Sequence, residues 1–225
     1  MTTPTMTEPE RRDDQHMTTT AINVRGLTKN YGVLRALDEL DLTLPTGQIV
    51  GLLGENGCGK TTLLKVLAGV LADHQGEVSI AGHRLGPESK AHVSFLPDAS
   101  FLPDGARVRD CVGMYQDFFA DFDVAKADDL IGFFGLQQGM RLKQMSKGMR
   151  EKVQIALAMS RRATVYLLDE PISGVDPAAR EVILDGVVMM RHGKVLLAGP
   201  VDDLRAKRNM SIDQLFREVY QWSPR

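Results

Sequence analysis

The sequence predicts an α/β fold with a mainly parallel sheet, an antiparallel β part at the N-terminus and a helical subdomain. Three observations support this prediction. The apolar run 48–53 leads through a glycine-rich loop into a segment with helical spacing. A second apolar run, 164–168, ends in two acidic residues. Between the two runs, residues 99–160 replace strand alternation with helical periods and carry most of the phenylalanines.

Length and charge narrow the possible functions. The chain has 225 residues, 43% hydrophobic and 25% charged, which is typical of a globular domain with its own core. With 27 basic and 29 acidic residues the formal charge is −2, so no broad basic surface is expected for nucleic acid. No run approaches the ~18 apolar residues of a membrane-spanning helix, and the start lacks a signal-peptide core. Two cysteines, Cys58 and Cys111, favour a reducing cytosol over a disulfide scaffold.

Composition divides the chain into a tail and one domain. Residues 1–19 are rich in Thr, Pro and charge, so we expect them to be disordered, and either Met1 or Met17 serves as the start. Residues 20–225 form a single domain. We expect its parts to be an α/β core over 20–98 and 161–200, a helical subdomain over 99–160, and C-terminal helices over 201–225.

Periodicity places the individual elements. Strands are predicted at 21–24, 40–44 and 48–53, and a hairpin at 187–197. Two helices are indicated by apolar spacing and a third by a capping pattern: one from Lys60 through Leu71, one after Ser146 as N-cap, and one after Ser211.

A phosphate-binding loop follows the strand at 48–53. Residues 54–61 fit the pattern G-x-x-x-x-G-K-[ST] between a strand and a helix start. Glycines let backbone N–H groups point inward at phosphates, and the helix N-terminus adds partial positive charge. An ordinary glycine-rich turn is the alternative, and a catalytic thiol at Cys58 lacks a histidine partner. The predicted nucleotide-binding residues of the loop are Gly54, Glu55, Asn56, Gly57, Cys58, Gly59, Lys60, Thr61 and Thr62.

Two carboxylates end the strand at 164–168. Ligands gather at the carboxyl ends of strands in open α/β sheets. We therefore expect Asp169, with the Thr61 hydroxyl, to hold Mg²⁺, a hard cation that prefers oxygen ligands. Glu170 would orient or deprotonate the attacking water, with Lys60 on the β and γ phosphates, making these two the predicted catalytic residues. Two acids at the solvent end of a strand are the simpler alternative, which the phosphate loop outweighs.

Two further motifs reveal a family. Together with the loop and the acids, Gln-Met-Ser-Lys-Gly-Met-Arg at 144–150 and Pro-Ile-Ser-Gly-Val-Asp-Pro at 171–177 make the chain resemble the ATP-binding subunit of an ABC transporter, from about Ile22 to Tyr220. The resemblance implies a P-loop NTPase (RecA-like) core. It also implies ATP and Mg²⁺ as cofactors, a head-to-tail dimer or paired ATPase subunit, and an integral membrane permease as partner, with the chain cytoplasmic on the inner face of the membrane.

The resemblance assigns roles to three more residues. Ser146 and Gly148 match the signature that contacts the γ phosphate bound by the opposite subunit. Simple N-capping by Ser146 is the alternative. Residues 173–176 resemble the loop that crosses the dimer interface. Tyr31 resembles the aromatic that stacks on adenine, where an ordinary half-buried ring is the alternative.

The chain departs from the family pattern in two places. Asp98 stands where the family has a glutamine; a carboxylate can still bind Mg²⁺, so we include Asp98 among the metal ligands, although it cannot donate a hydrogen bond as an amide does. After Asp176, a strand-and-helix unit of about 30 residues with the switch histidine is missing. His192 lies in the predicted hairpin turn and is not given that role.

The missing unit leaves three structural outcomes open. The strands of the phosphate loop and of Asp169 pair directly, or the core is loosened, or the chain is a truncated product with impaired turnover. The leading function is an ATPase that drives transport through a separate membrane subunit. The alternative is an ATP-binding regulatory or truncated subunit with little hydrolysis, and another phosphate-loop enzyme is disfavoured by 146–150.

Overall fold

The computed structural model describes residues 19–170, 184–208, 210, 211, 214, 215 and 218. The tail predicted at 1–19 lies, except for Thr19, outside the described residues, as do the interface loop predicted at 173–176 and residues 177–183. The predicted α/β fold class is confirmed by the element order and the sheets below. No helix in these ranges has both the length and the apolar character needed to cross a membrane.

An antiparallel sheet forms the N-terminal part. Its strands, in the spatial order β2-β1-β4-β5, are β1 (Thr20–Tyr31), β2 (Leu34–Pro45), β4 (Gln75–Ile80) and β5 (His83–Arg84). The first two strands run well beyond the predicted 21–24 and 40–44. Register shifts between Val24 and Leu27 and between Leu27 and Lys29 interrupt the alternation of buried and exposed residues, because a bulge turns the following side chains to the other face.

Two parallel pairs carry the central strands. Strand β3 (Val50–Gly54) pairs in parallel with β8 (Gly186–Arg191), which pairs antiparallel with β9 (Lys194–Pro200). The predicted hairpin is therefore confirmed, and its position beside β3 could not be predicted from any local pattern. Strand β6 (Val93–Leu96) pairs in parallel with β7 (Val165–Leu168).

No ladder joins β3 to β7 in the described part of the chain. Of the three outcomes left open, direct pairing of these strands is therefore not found there. All five residues of β3 are half-buried, where the sequence predicts a buried strand. The two parallel pairs instead share one hydrophobic core, since Val165 and Leu167 pack in the same cluster as Val188 and Met190. Side-chain packing replaces backbone hydrogen bonding at the centre of the fold.

Three helices flank the strands. They are α1 (Lys60–Leu67), α2 (Pro87–Ala91) and α6 (Val201–Arg208). The prediction that α1 continues to Leu71 is wrong: Gly69 takes a left-handed φ of 67° and Val70 is 60% exposed, because such a backbone ends a helix. Beyond α6, Ser211 and Gln214 exchange the capping hydrogen bonds expected from the sequence; much of the helix predicted after them lies outside the described residues.

The helical lobe has its own core. It contains α3 (Val108–Phe118), α4 (Val124–Phe133), a short 3-10 turn (Leu142–Gln144) and α5 (Lys147–Met159). Ser146 caps α5, as predicted, by accepting a hydrogen bond from the Met149 N–H at 3.2 Å. Burial in this core raises the pKa of Cys111 to about 11, so this thiol stays protonated at neutral pH.

Arg161 joins the helical lobe to the parallel strands. Its Nε donates to both carboxylate oxygens of Asp121, at 2.9 and 3.2 Å. Its terminal nitrogens donate to the carbonyls of Val93 at 2.7 Å and Ala91 at 3.1 Å, and its guanidinium carbon lies 4.1 Å from the centre of the Phe119 ring. The side chain is only 5% exposed. This buried cation is stabilised because every direction of its guanidinium fork meets a partner.

We predict that Arg161→Met lowers the free energy of unfolding by about 3–5 kcal/mol, since it leaves the Asp121 carboxylate and two carbonyls without their donor. Urea unfolding of the full chain, followed by circular dichroism, measures this loss. Arg162→Met is the matched control: Arg162 pairs with Asp123 at 3.0 Å but is 73% exposed, so its loss should stay below about 1 kcal/mol. Equal losses for the two variants would contradict the role given to Arg161.

Candidate nucleotide-binding site

The loop between β3 and α1 has the backbone that the sequence pattern requires. Gly57 and Gly59 have left-handed φ angles of 79° and 108°, which side chains with a Cβ rarely adopt. Gly59 is the N-cap of α1, so Lys60, Thr61 and the half-buried Thr62 occupy its first turn. Glu55, Asn56 and Gly57 are exposed. The predicted loop residues thus surround the N-terminus of a helix, where anions are favoured.

Two glycines let the loop pack against backbone rather than side chains. A Cβ on Gly59 would lie 2.5 Å from the carbonyl oxygen of Ala36 in β2. A Cβ on Gly193, in the β8–β9 turn, would lie 2.8 Å from the same oxygen. The Gly193 N–H donates to the carbonyl of Cys58 at 3.0 Å, and the Asp38 N–H donates to the carbonyl of Gly193 at 3.0 Å. The hairpin turn therefore bridges the loop and β2.

Lys60 lies inside the loop. Its ammonium donates to the carbonyls of Gly54 at 2.8 Å and Glu55 at 2.9 Å. The Cys58 sulfur lies 4.0 Å from it, and Cys58 is 5% exposed against Gly54. The buried Cys58 thiol therefore fills space beneath the loop, which is a structural role.

Thr61 and Asp169 meet although 108 residues separate them. The Thr61 hydroxyl donates to Asp169 Oδ1 at 3.2 Å. Asp169 is 5% exposed, and its second oxygen, Oδ2, is buried with no hydrogen-bond partner in the described residues. A buried carboxylate oxygen without a donor is costly unless a cation completes it. The hydroxyl and carboxylate oxygens therefore fit a hard divalent cation.

Glu170 follows with a strained backbone. Its φ is 50°, a left-handed value that is uncommon outside glycine, and its side chain is exposed. Such strain costs of order 1–3 kcal/mol and persists where the surroundings impose it.

Asp98 lies beside the start of α5. It is exposed, and within the described ranges no hydrogen bond links it to either residue. It lines a pocket of about 250 Å³ beside α5, together with Ser100, Lys147, Arg150, Glu151 and Gln154. The same ranges hold no group of three or more His, Cys, Asp or Glu side chains arranged for a metal. Thr61 and Asp169 are thus in direct contact, and the role of Asp98 as a metal ligand stays a prediction.

The residues of the family-like signature are accessible. Ser146, Lys147 and Gly148 are all exposed at the start of α5. Lys147 pairs with Glu151 at 3.6 Å and Arg150 with Asp104 at 3.0 Å. This end of the helix therefore offers a hydroxyl and free N–H groups to solvent.

Tyr31 and His192 lie in two different turns. Tyr31 ends β1 and is 46% exposed. His192 is exposed in the β8–β9 turn with a φ of 47°. Beside that turn, Lys194 and then Arg35 bind the Asp38 carboxylate, at 3.0 and 2.6 Å, and hold its pKa below the usual value. Sequence reasoning missed the contact between Lys194 and Asp38 because it joins segments far apart in the chain.

Comparisons with known proteins identify the family of this chain. Residues 37–173 match the model of the ABC transporter family. The daunorubicin resistance ATP-binding protein DrrA3 of Streptomyces coeruleorubidus is 35% identical, covering 91% of this chain and 76% of its own length. The uncharacterized ABC transporter ATP-binding protein YhaQ of Bacillus subtilis (strain 168) is 29% identical over 77% of this chain, which spans 60% of YhaQ.

A solved structure supports the fold. The structure of an ATP-binding subunit of an ABC transporter superposes with a TM-score of 0.80 at 25% identity, covering 89% of this chain and all of that one. The chain belongs to the ABC transporter family, as one of its ATP-binding subunits.

Proposed function

We propose that this chain binds Mg-ATP in the cleft between the phosphate loop and Asp169 and hydrolyses it to drive a separate membrane subunit. The observation that carries the proposal is the contact between the Thr61 hydroxyl and the Asp169 carboxylate, beside an ammonium held within a glycine-rich loop. A phosphate chain and a divalent cation need these groups side by side.

The loop binds the triphosphate through backbone and lysine. Its N–H groups and the N-terminus of α1 attract phosphate oxygens. Lys60 transfers its hydrogen bonds from the carbonyls of Gly54 and Glu55 to the β and γ phosphates. Because the ammonium is already in the loop, little side-chain reordering is needed for this exchange.

Thr61 and Asp169 are the residues that would hold Mg²⁺. The unpartnered Oδ2 of Asp169 and the exposed hydroxyl of Thr61 supply the oxygen ligands. The bound ion would neutralise charge on the phosphates during transfer. Asp98 is left out of this set because it lies in the pocket beside α5. Glu170 accepts a hydrogen bond from the attacking water and orients it, and its exposed position leaves room for that water.

The dimer is part of the proposal. Ser146 and Gly148 are exposed at a helix N-terminus, and they would contact the γ phosphate held by a second subunit in a head-to-tail arrangement. Tyr31, half-exposed at the end of β1, would stack on adenine. The partner is a membrane permease, and the chain works on the cytoplasmic face of the membrane beside it.

A second candidate is an ATP-binding subunit with little turnover. Two observations favour it: the absence of a ladder between β3 and β7 in the described residues, and the lack there of a hydrogen bond between Asp98 and the pair of Thr61 and Asp169. Each weakens the geometry around the water and the γ phosphate, whereas the loop and Asp169 retain theirs. We infer that nucleotide affinity survives better than hydrolysis.

For the metal site we predict that Asp169→Asn abolishes the strengthening of ATP binding by Mg²⁺ while leaving the affinity in EDTA within about twofold. Calorimetric titration with and without the metal measures both. In EDTA, the variant should unfold at the same or higher urea concentration, since it removes an unpaired buried charge. A variant that keeps its Mg²⁺ dependence would contradict the assignment.

For turnover we predict that Glu170→Gln binds ATP and accumulates ATP-dependent dimers, because water is no longer activated. Light scattering after gel filtration with ATP detects them. Glu77→Gln, at a carboxylate that is 68% exposed on the antiparallel sheet, is the control and should match the unsubstituted chain. Monomers that hold ATP would argue against the dimer, and ordinary steady-state ATPase activity of the unsubstituted chain would rule out the low-turnover candidate.

For the hairpin contact we predict that Gly193→Ala weakens ATP binding at least fivefold, since its Cβ would push Ala36 and the loop apart. Gly82→Ala controls for backbone strain: Gly82 has a similar φ, 82° against 77°, but open space around it. Gly82→Ala should lose about 1–2 kcal/mol of stability from strain alone and Gly193→Ala at least as much, whereas only Gly193→Ala should lose affinity by calorimetry. Equal affinities would show that the turn does not support the loop.

A further inference from the structure

We propose that Lys29 is a positioning residue for the base of the nucleotide: its ammonium covers one face of the Tyr31 ring and leaves the other face for the purine. The proposal deepens the proposed function and rests on it, since it assumes that a nucleoside triphosphate occupies the phosphate loop. It names a residue and a contact that the sequence motifs do not include.

Lys29 is a buried cation with two contacts. The Lys29 ammonium lies 5.0 Å from the centre of the Tyr31 ring, within the range of a cation–π interaction. It also donates to Asp73 Oδ2 at 3.1 Å. Lys29 is 6% exposed, whereas Tyr31 is 46% exposed.

The ammonium gives the two faces of the ring different characters. A desolvated cation binds the negative face of an aromatic ring more strongly than an exposed one does. With that face covered, a flat ligand has access to the opposite face only. Positive charge behind the ring also draws electron density from the free face, which favours stacking with an electron-rich purine. The Tyr31 ring is therefore held in one orientation, with one face available for stacking on the base.

The strand pairing connects this ring to the phosphate loop. Lys29 lies opposite Leu37 and Tyr31 opposite Leu34 in the β1–β2 ladder. A Cβ on Gly59 would lie 3.0 Å from Leu37 Cδ2, so the loop packs on the same stretch of β2 that faces Lys29. Asp73, which holds the ammonium, follows the end of α1. The ring, its cation and the loop are thus fixed to the same two elements, β2 and α1.

A purely structural role for Lys29 predicts a different result. If the ion pair with Asp73 only stabilises the fold, its loss would lower stability and weaken all ligands of the loop alike. A positioning role affects only the ligand that carries a base. Inorganic tripolyphosphate, which lacks the base, distinguishes the two roles.

The experiment measures ATP and tripolyphosphate affinity of the full chain by calorimetry in Lys29→Met, Lys29→Arg and Asp73→Asn. We expect Lys29→Met to weaken ATP about five- to tenfold and tripolyphosphate less than twofold. Lys29→Arg should retain the preference for ATP, since it keeps the charge. In a Tyr31→Leu background, Lys29→Met should cause no further loss of ATP affinity.

The remaining outcomes would contradict a positioning role for Lys29. Equal loss for both ligands, or a full additional loss in the Tyr31→Leu background, would overturn the positioning role. If Lys29→Met does not fold, Asp73→Asn is the deciding variant, because a change at a carboxylate that is 99% exposed should not prevent folding. In that case an unchanged ratio of ATP affinity to tripolyphosphate affinity would overturn the proposal. If the unsubstituted chain binds tripolyphosphate and does not bind ATP more tightly, the proposal is overturned, while phosphate binding by the loop stands. If it binds neither ligand, the proposed function is overturned as well.

Discussion

The guanidinium of Arg161 is the contact on which the relative placement of the two lobes depends. It stands where α5 has ended and β7 is about to begin, and it satisfies Asp121 of the helical lobe and two carbonyls before and within β6 at once. The Tyr166 hydroxyl in turn donates to the Arg161 carbonyl. A charge this deeply buried is tolerated only when its partners are in place. The start of α5, with Ser146 and Gly148, is therefore held relative to the strand that delivers Asp169.

The second constraint is the division of the central strands. One parallel pair carries the phosphate loop and the other carries Asp169, and in the described residues no ladder joins them. The shared apolar core and the hydrogen bond from Thr61 to Asp169 bring their carboxyl ends together. A single side-chain hydrogen bond is weak in net terms, about 1 kcal/mol. Ligands that bridge the two ends would therefore add a large share of the stability of the cleft.

The sequence predicts local chemistry better than pairing. The phosphate loop, the capping role of Ser146 and the β8–β9 hairpin could all be found because their signals lie within a few residues. The lengths of β1 and β2 could not, since bulges break the alternation at Leu27. The parallel pairing of β8 with β3 and the ion pair of Lys29 with Asp73 arise from contacts between distant segments.

The meeting of Gly59, Gly193 and the Ala36 carbonyl has a mechanical consequence. Three remote stretches of chain touch there through main-chain atoms, so no rotamer change can absorb a displacement of one against another. A displacement of the β8–β9 hairpin therefore moves the phosphate loop as well. A protein that binds this hairpin could therefore change the nucleotide affinity of the site without contacting the phosphates.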